Sequence, residues 1–275
     1  ELPEFYKILT RFPSLDHLDL LLRMKVGFSR DEVLGHFLRG GYPEPVLSGD
    51  PDFQSSWMAN YERTYLDRDV RALFPRLNVQ NFRRFLGMLC ELSGTIINRS
   101  EVGRSLGASE GAVRDYLEIA EGTFLWRSIG SLEKTASKSM VKMPRGYIRD
   151  SGLLNHLKGT RTQEQLMTWA GVGAAFEGAM LEEILLGIAS LENSPWPAAY
   201  YRTRGGAEVD LVLTDPTGLR IPIEIKFGMS TKHSDLRSLS GFVEQEKCPY
   251  GILVNNAEEV RLLAPKIIQI PAGFL

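Results

Sequence analysis

Apolar side chains follow a helical period through the first part of the chain and an alternating period in the last third. In one long early stretch, Trp57, Tyr61 and Tyr65 are spaced four residues apart, which predicts a helix. After residue 200, short runs alternate apolar and polar positions, which is typical of strands. Helices followed by hairpin-spaced strands predict a mixed α/β fold.

We expect three consecutive parts, of which the first, residues 1–75, is a helical segment. Within it, Ser29 and Glu32 have the spacing of a capping box at the start of a helix. That helix should end at Gly40, and Pro43 should keep it from resuming.

The second part, residues 76–165, contains a helix-turn-helix pattern. Ser100 and Ser109 have the positions of N-caps for two short helices, with Gly107 in the turn between them. A basic stretch follows at residues 127–149, with six Lys or Arg and one acid, which we interpret as a β-wing and a strand. This part is therefore predicted to be a winged helix-turn-helix domain.

Two hypotheses stay open for this domain. In one, it binds DNA with its second helix in the major groove, and phosphates are contacted by Arg114, Lys134, Lys138, Lys142 and Arg145. In the other, it packs against neighbouring domains and the basic stretch is a solvated hairpin. Five acidic residues on the two helices disfavour insertion into a groove.

The third part, residues 166–275, carries charges inside apolar strands. Asp210 lies in one apolar run, and Glu224 and Lys226 lie in the next. A sheet with one wet face would explain this pattern. The chain also has helices available to cover both faces, and a buried carboxylate then needs a partner or a metal ion.

A turn signal between these strands, Asp-Pro-Thr-Gly, predicts a hairpin that sets Asp210 beside Glu224. Upstream, Glu177 is in line with an apolar helical stripe that includes Leu181 and Ile184, so it should point toward the sheet. Further along the same helix, Glu182 and Glu183 are expected to be ordinary solvated charges. The inward carboxylates form a like-charge cluster, which a divalent cation or a lysine would stabilise.

These residues resemble the signature of the PD-(D/E)xK nuclease-like superfamily, which includes restriction endonucleases. The resemblance rests on the order and spacing of Glu177, Asp210, Glu224 and Lys226. It implies that Asp210 and Glu224 bind Mg²⁺ or Mn²⁺. It also implies that Lys226 orients or activates the attacking water and that Glu177 holds a metal-bound water or a second ion.

Nearly the whole chain also resembles a narrower family, the prokaryotic AAA-type ATPases that carry a winged helix and a C-terminal nuclease-like domain. The shared motifs are, in order, RGGYPEPV, YERTYLDRDVRALF, YIRDSGLLNHL, GAAFEGAMLEEIL, YYRTRGGAEVDLVL and IPIEIKFG. The resemblance implies that residues 1–75 are the helical end of an ATPase module. The sequence has no GxxxxGK[ST] loop and opens with Glu1 rather than Met. Either an N-terminal ATPase domain is missing from this sequence, or the chain is a variant that lacks one. We expect ATP to bind only in such a missing domain, and no ATP hydrolysis by this chain.

The composition limits which binding partners and which cellular compartment are consistent with the sequence. The 275 residues carry a net charge of −2, which excludes a uniformly basic surface but leaves room for a local basic patch. The two cysteines are far apart in sequence and form no CxxC pair, which fits a reducing cytoplasm. No apolar run is long enough to span a membrane.

The leading functional hypothesis is a Mg²⁺-dependent phosphodiesterase that acts on DNA. The rival hypothesis is a catalytically silent nuclease fold that binds DNA or other proteins and is attached to an ATPase. A third option is a role with RNA or in a toxin–antitoxin pair. No residue pattern in the sequence favours or disfavours it.

Overall fold

The computed structural model describes residues 3–11, 16–25, 27–132, 143–192 and 195–275. The protein has a mixed α/β fold, as the sequence predicts. Three of the nucleic-acid-binding residues predicted above, Lys134, Lys138 and Lys142, lie outside the described residues.

The helices, in chain order, are α1 Glu4–Leu9, α2 Asp16–Leu22, α3 Arg30–Arg39, α4 Pro43–Ser48, α5 Pro51–Thr64, α6 Arg71–Leu73, α7 Val79–Leu92, α8 Arg99–Leu106, α9 Glu110–Gly122, α10 Ser151–Lys158, α11 Gln163–Thr168, α12 Val172–Leu191 and α13 His233–Gln245. The strands are β1 Thr95–Ile96, β2 Trp126–Ser131, β3 Arg145–Ile148, β4 Ala198–Arg202, β5 Glu208–Thr214, β6 Arg220–Ile225, β7 Gly251–Asn255, β8 Arg261–Ala264 and β9 Ile267–Pro271.

The chain divides into two compact units that are not continuous in sequence. The sheet unit comprises residues 1–34, 129–144 and 179–275, and the helical unit comprises residues 35–128 and 145–178. The chain therefore passes between the units several times, whereas the sequence predicted three consecutive parts. Helix α12 begins in the helical unit and ends in the sheet unit.

In the sheet unit, the strands lie in the order β2-β4-β5-β6-β7-β9-β8. Strands β4, β5 and β6 are antiparallel neighbours, and the Asp-Pro-Thr-Gly hairpin between β5 and β6 forms as predicted. Strands β6, β7 and β9 run parallel, with α13 making the crossover from β6 to β7. Helix α13 packs Leu239, Phe242 and Val243 against Val212 and Leu253 of the sheet.

In the helical unit, one half-buried carboxylate joins two distant segments. Asp150 is the N-cap of α10, and its Oδ1 accepts a hydrogen bond from Leu153 N at 2.6 Å. Its Oδ2 accepts from Gly41 N at 2.8 Å, just after α3 ends. Burial raises the pKa of Asp150, and these backbone hydrogen bonds oppose that shift. One side chain therefore satisfies backbone groups that neither segment satisfies by itself.

Most of the predicted helix ends are confirmed. Ser29 and Glu32 form the capping box, with Glu32 N donating to Ser29 Oγ and Ser29 N donating to Glu32 Oε2. Helix α3 ends before Gly40, whose φ is 79°. A new helix nevertheless begins at Pro43, because proline is well suited to the first helical position.

The two short helices predicted around Gly107 form as α8 and α9, and one of their predicted caps is wrong. Ser109 caps α9 by accepting from Ala112 N, as predicted. The predicted cap at Ser100 is wrong. Asn98 caps α8 instead, since its Oδ1 lies 3.3 Å from Glu101 N and accepts that hydrogen bond.

The long aromatic stretch is helical, but not a regular α-helix throughout. Helix α5 leads through a π-helical turn, Tyr65–Val70, into α6. Trp57 and Tyr61 stack with ring centroids 5.3 Å apart, and Tyr61 and Tyr65 stack at 6.1 Å. The four-residue spacing therefore places these rings in one column.

We predict that Gly152→Ala destabilises the protein by about 1–3 kcal/mol. A Cβ at Gly152 would lie 1.9 Å from the Arg39 carbonyl oxygen, so the backbone would have to move. A matched control is Gly87→Ala, in the exposed middle of α7 with nothing within 4 Å, which should gain up to about 1 kcal/mol. Urea unfolding of both variants is the measurement, and equal stability of the two would contradict the packing described.

We also predict that the two thiols are unreactive in the folded protein. Burial raises the pKa of the Cys90 thiol to about 12 and that of the Cys248 thiol to about 11, so thiolate is scarce at pH 8. Labelling with a thiol reagent should be about 100-fold slower, or more, in native protein than in denaturant. Rapid labelling of either thiol without denaturant would show that its burial is wrong.

Candidate functional site

Two carboxylates lie buried on adjacent strands of the sheet unit. Asp210 on β5 is 3% exposed, and Glu224 on β6 is 7% exposed. The alternative of a sheet with one wet face is therefore wrong for these strands, because the face that carries the charges is buried as well as the apolar face. Carboxylates in such surroundings need compensating partners.

The β5–β6 register brings these carboxylates together. Leu211 pairs with Ile223, and one further step along this register sets Asp210 opposite Glu224. Ile225 N donates to Asp210 Oδ2 at 2.9 Å, so the Asp210 side chain reaches across to the backbone of β6. The hairpin turn that the sequence predicts is what fixes this arrangement.

Lys226 supplies the positive charge. Its Nζ donates to Glu224 Oε1 at 2.5 Å and lies 3.8 Å from Asp210 Oδ2. The lysine side chain is 38% exposed, so the cluster is buried at the carboxylates and open to water at the ammonium group. We call Asp210, Glu224 and Lys226 the strand triad.

The position of Lys226 depends on a neighbouring residue that the sequence did not reveal. Lys226 N donates to Val254 O at 2.8 Å, at the end of β7. Asn256 is 3% exposed, and its Nδ2 donates to Phe227 O at 2.7 Å while its N donates to Gly228 O at 3.2 Å. Asn256 thus fixes the backbone directly after Lys226. In the sequence, the signal that could have indicated this role is the pair Asn255-Asn256 at the end of an apolar run.

The chemistry of the triad fits a hard cation. Mg²⁺ and Mn²⁺ prefer oxygen ligands, and Mg²⁺ is commonly held by one or two carboxylates together with water. Asp210 and Glu224 offer that donor set. Within the described part of the chain, no group of three or more His, Cys, Asp or Glu side chains is arranged to hold a metal ion.

Glu177, the fourth predicted catalytic residue, lies in the helical unit near the start of α12. Its Oε1 accepts from Arg145 Nη1 at 2.9 Å and from Tyr147 Oη at 2.5 Å. Both partners come from β3. The role of Glu177 beside the strand triad stays a prediction.

Two of the predicted DNA-contacting residues, Arg114 and Arg145, lie within the described ranges, and they differ in exposure. Arg114 is exposed on α9, where Nη2 lies 3.4 Å from Asp115 and Nε lies 3.8 Å from Glu118. Arg145 is 4% exposed and is paired with Glu177. A phosphate contact by Arg145 would require that buried ion pair to open.

The prediction that Glu182 is solvated is wrong. Glu182 is 4% exposed, beside the buried residues Leu181 and Ile184 on α12. The apolar stripe marks one buried face of the helix, but the burial of α12 extends around to the position of Glu182. Helical periodicity alone does not report how much of a helix its neighbours cover.

We predict that Lys226→Met lowers the stability of the metal-free protein by about 1–3 kcal/mol. The loss follows because Asp210 and Glu224 stay buried without their shared cation, while the exposure of Lys226 limits the effect. Unfolding in urea with EDTA is the measurement, and Lys7→Met, at an exposed lysine on α1, is the control. Unchanged stability of Lys226→Met would show that the ion pairs contribute nothing.

Over the described ranges, every helix is too short or too polar to cross a bilayer.

Two segments of the chain match protein-family models. Residues 30–164 match the family described as a domain of unknown function, DUF8612, and residues 172–274 match a second such family, DUF4143. Uncharacterised proteins of Mycobacterium bovis and Mycobacterium tuberculosis are each 30% identical to this chain over 190 residues. The alignment covers 69% of this chain but 42% of each relative, so the chain spans less than half the length of these curated relatives. No solved structure matches. The segment from the start of α12 to residue 274 is therefore similar to DUF4143 domains.

Proposed function

We propose that the sheet unit is a Mg²⁺- or Mn²⁺-dependent phosphodiesterase that cleaves DNA. The observation that carries the proposal is the strand triad, in which two buried carboxylates and one half-open lysine meet on adjacent strands. Buried like charges are costly to the fold, and functional sites are a common reason for their presence.

Within this proposal, Asp210 and Glu224 hold the cation. When bound, the cation would lower the pKa of a coordinated water and balance charge that develops on the scissile phosphate. Lys226 would then turn its Nζ from Glu224 toward the attacking water or the phosphate. Its exposed side chain has the freedom to do this, whereas the carboxylates are fixed.

DNA is proposed as the substrate because of the resemblance to PD-(D/E)xK nucleases and the predicted winged helix. Arg114 on α9 is exposed and could exchange its acidic neighbours for phosphates. The resemblance to AAA-type ATPases further supports the proposal that ATP, if it is bound, is bound by a separate ATPase domain and not by the sheet unit. A cytoplasmic setting is proposed as well, supported by two buried free thiols, Cys90 and Cys248.

The second candidate is a silent module that retains the nuclease fold and binds DNA or protein. The strand triad also supports this candidate, since Lys226 already balances the carboxylate charge from within the protein. In a silent module the ion pairs would be purely structural. The two candidates therefore differ in whether the carboxylates bind a metal ion.

We predict that the chain cleaves single-stranded, duplex or branched DNA with Mg²⁺ or Mn²⁺. Asp210→Asn, Glu224→Gln and Lys226→Met should each lower the rate by about 100-fold or more, because each removes a charge from the reacting centre. Cleavage is followed by gel electrophoresis of labelled substrates. Glu244→Gln, at an exposed carboxylate on α13, is the matched control and should cleave at the normal rate.

Calorimetric titration with Mn²⁺ separates the two candidates. Cleavage that survives Asp210→Asn would end the nuclease proposal, as would failure of the wild-type chain to bind Mn²⁺ at millimolar concentration. Salt-sensitive DNA binding without cleavage or Mn²⁺ binding would establish the silent module.

A further inference from the structure

The sheet unit contains a cavity of about 170 Å³ whose wall contacts the residue that follows Lys226. Asn256 forms part of this wall, and its Nδ2 donates to Phe227 O at 2.7 Å. The cavity is smaller than the roughly 300–1,000 Å³ of sites that enclose a whole small molecule. Its size therefore suits a single ring system that belongs to a larger ligand.

The lining of the cavity is mostly apolar and carries no net charge. It comes from the start of α3, the turn after β7 and the last 3₁₀ turn. Phe28, Val33 and Ala272 provide apolar walls, and the charged groups in the lining are Arg30 and Glu258. Because the formal charges of that arginine and that glutamate sum to zero, the lining does not select an anion. It suits a flat, neutral ring with a polar edge.

An exposed aromatic ring borders the cavity. The Phe28 residue is 51% exposed, although its backbone is anchored, since Phe28 N donates to Gly273 O at 2.9 Å. Gly27 N donates to the same oxygen at 3.2 Å, so two successive residues are tied to the last 3₁₀ turn. A large apolar ring that is held in place at the surface offers a stacking face to an aromatic ligand.

Two buried polar atoms on residues of this lining lack a hydrogen-bond partner in the part of the chain that the structure describes. They are Nε of Arg30, which is a donor, and Oδ1 of Asn256, which is an acceptor. Buried polar atoms without a partner destabilise a fold and are uncommon. A ligand edge with one acceptor and one donor would satisfy both atoms. Nucleic-acid bases present such edges, and asparagine is one of the side chains that read them.

We propose that the cavity receives one unpaired base of the DNA strand that the strand triad cleaves. This inference rests on the proposed nuclease function, and it names the substrate class as DNA with unpaired bases, either single-stranded or branched. The base would stack on Phe28 and turn its polar edge toward Arg30 and Asn256. The phosphates would stay outside, because Glu258 is exposed at the cavity and repels them. A base within a continuous duplex would first have to be extruded from its stack.

Fluorescence anisotropy in EDTA tests the proposal, because it measures DNA binding without metal-dependent cleavage. The probes are a labelled thymidine strand of about six nucleotides and an abasic strand with the same number of phosphates. The wild-type chain should bind the thymidine strand about tenfold more tightly than the abasic strand, since only the thymidine strand has bases to stack. Phe28→Ala should reduce this ratio to less than about threefold, whereas Phe28→Trp, which keeps an aromatic ring, should retain it.

Leu262→Ala is the matched control for the loss of an exposed apolar side chain. Leu262 is 52% exposed, lies on β8 of the same unit and does not line the cavity. The ratio of the two affinities should therefore stay at the wild-type value in this variant. Urea unfolding checks that each variant is folded.

Equal binding of the two strands by the wild-type chain would overturn the proposal, as would failure to bind either strand at about 0.1 mM. An equal loss of the ratio in Leu262→Ala would also overturn it, since the effect would then not belong to the cavity. Failure of the nuclease function gives a different result, in which Mg²⁺ supports no cleavage but the base-dependent binding in EDTA persists. Cleavage by a chain that binds both strands equally would overturn the base site alone.

Discussion

The compensation of two buried carboxylates by a single lysine is the interaction on which the sheet unit depends. Asp210 and Glu224 lie in strands that are covered on both faces, where an uncompensated charge would cost several kcal/mol. The compensation comes from Ile225 N at the end of β6 and from Nζ of Lys226, the next residue. A charged cluster at the centre of a sheet is not the most stable solution available to a sequence, because apolar residues would pack there at lower cost. Its presence points to a use for the charges.

In the helical unit, another carboxylate that is partly shielded from water is compensated in a different way. Asp150 is a half-buried carboxylate, and its oxygens accept hydrogen bonds from the backbone of two segments. This carboxylate therefore has a complete structural explanation, and it needs no catalytic role. The strand triad differs in this respect. The Lys226 side chain is 38% exposed, whereas the partners of Asp150 are backbone groups held in place by the fold.

The sequence predicts well those features that depend on neighbouring residues. The β5–β6 hairpin follows from one turn signal, and the hairpin in turn determines that Asp210 meets Glu224. Features that depend on distant segments were not predictable in the same way. Asn256 reaches the residue after Lys226 only because α13 carries the chain from β6 to a parallel β7. The hydrogen bond from Gly41 to Asp150 joins residues 109 positions apart.

Local patterns also left some outcomes open where two residues compete for one role. Asn98 and Ser100 are both suitable caps for α8, and the cap that forms is decided by where the first turn starts. The burial of Glu182 depends on what covers α12, which no helical period reports.

Whether the strand triad binds a metal ion decides between the two candidate functions. A crystal soaked in Mn²⁺ and measured at the manganese absorption edge tests it directly. An anomalous peak bridging Asp210 and Glu224, with Lys226 turned away, is the expected result. No peak, with Lys226 still paired to both carboxylates, would contradict a metal-dependent site.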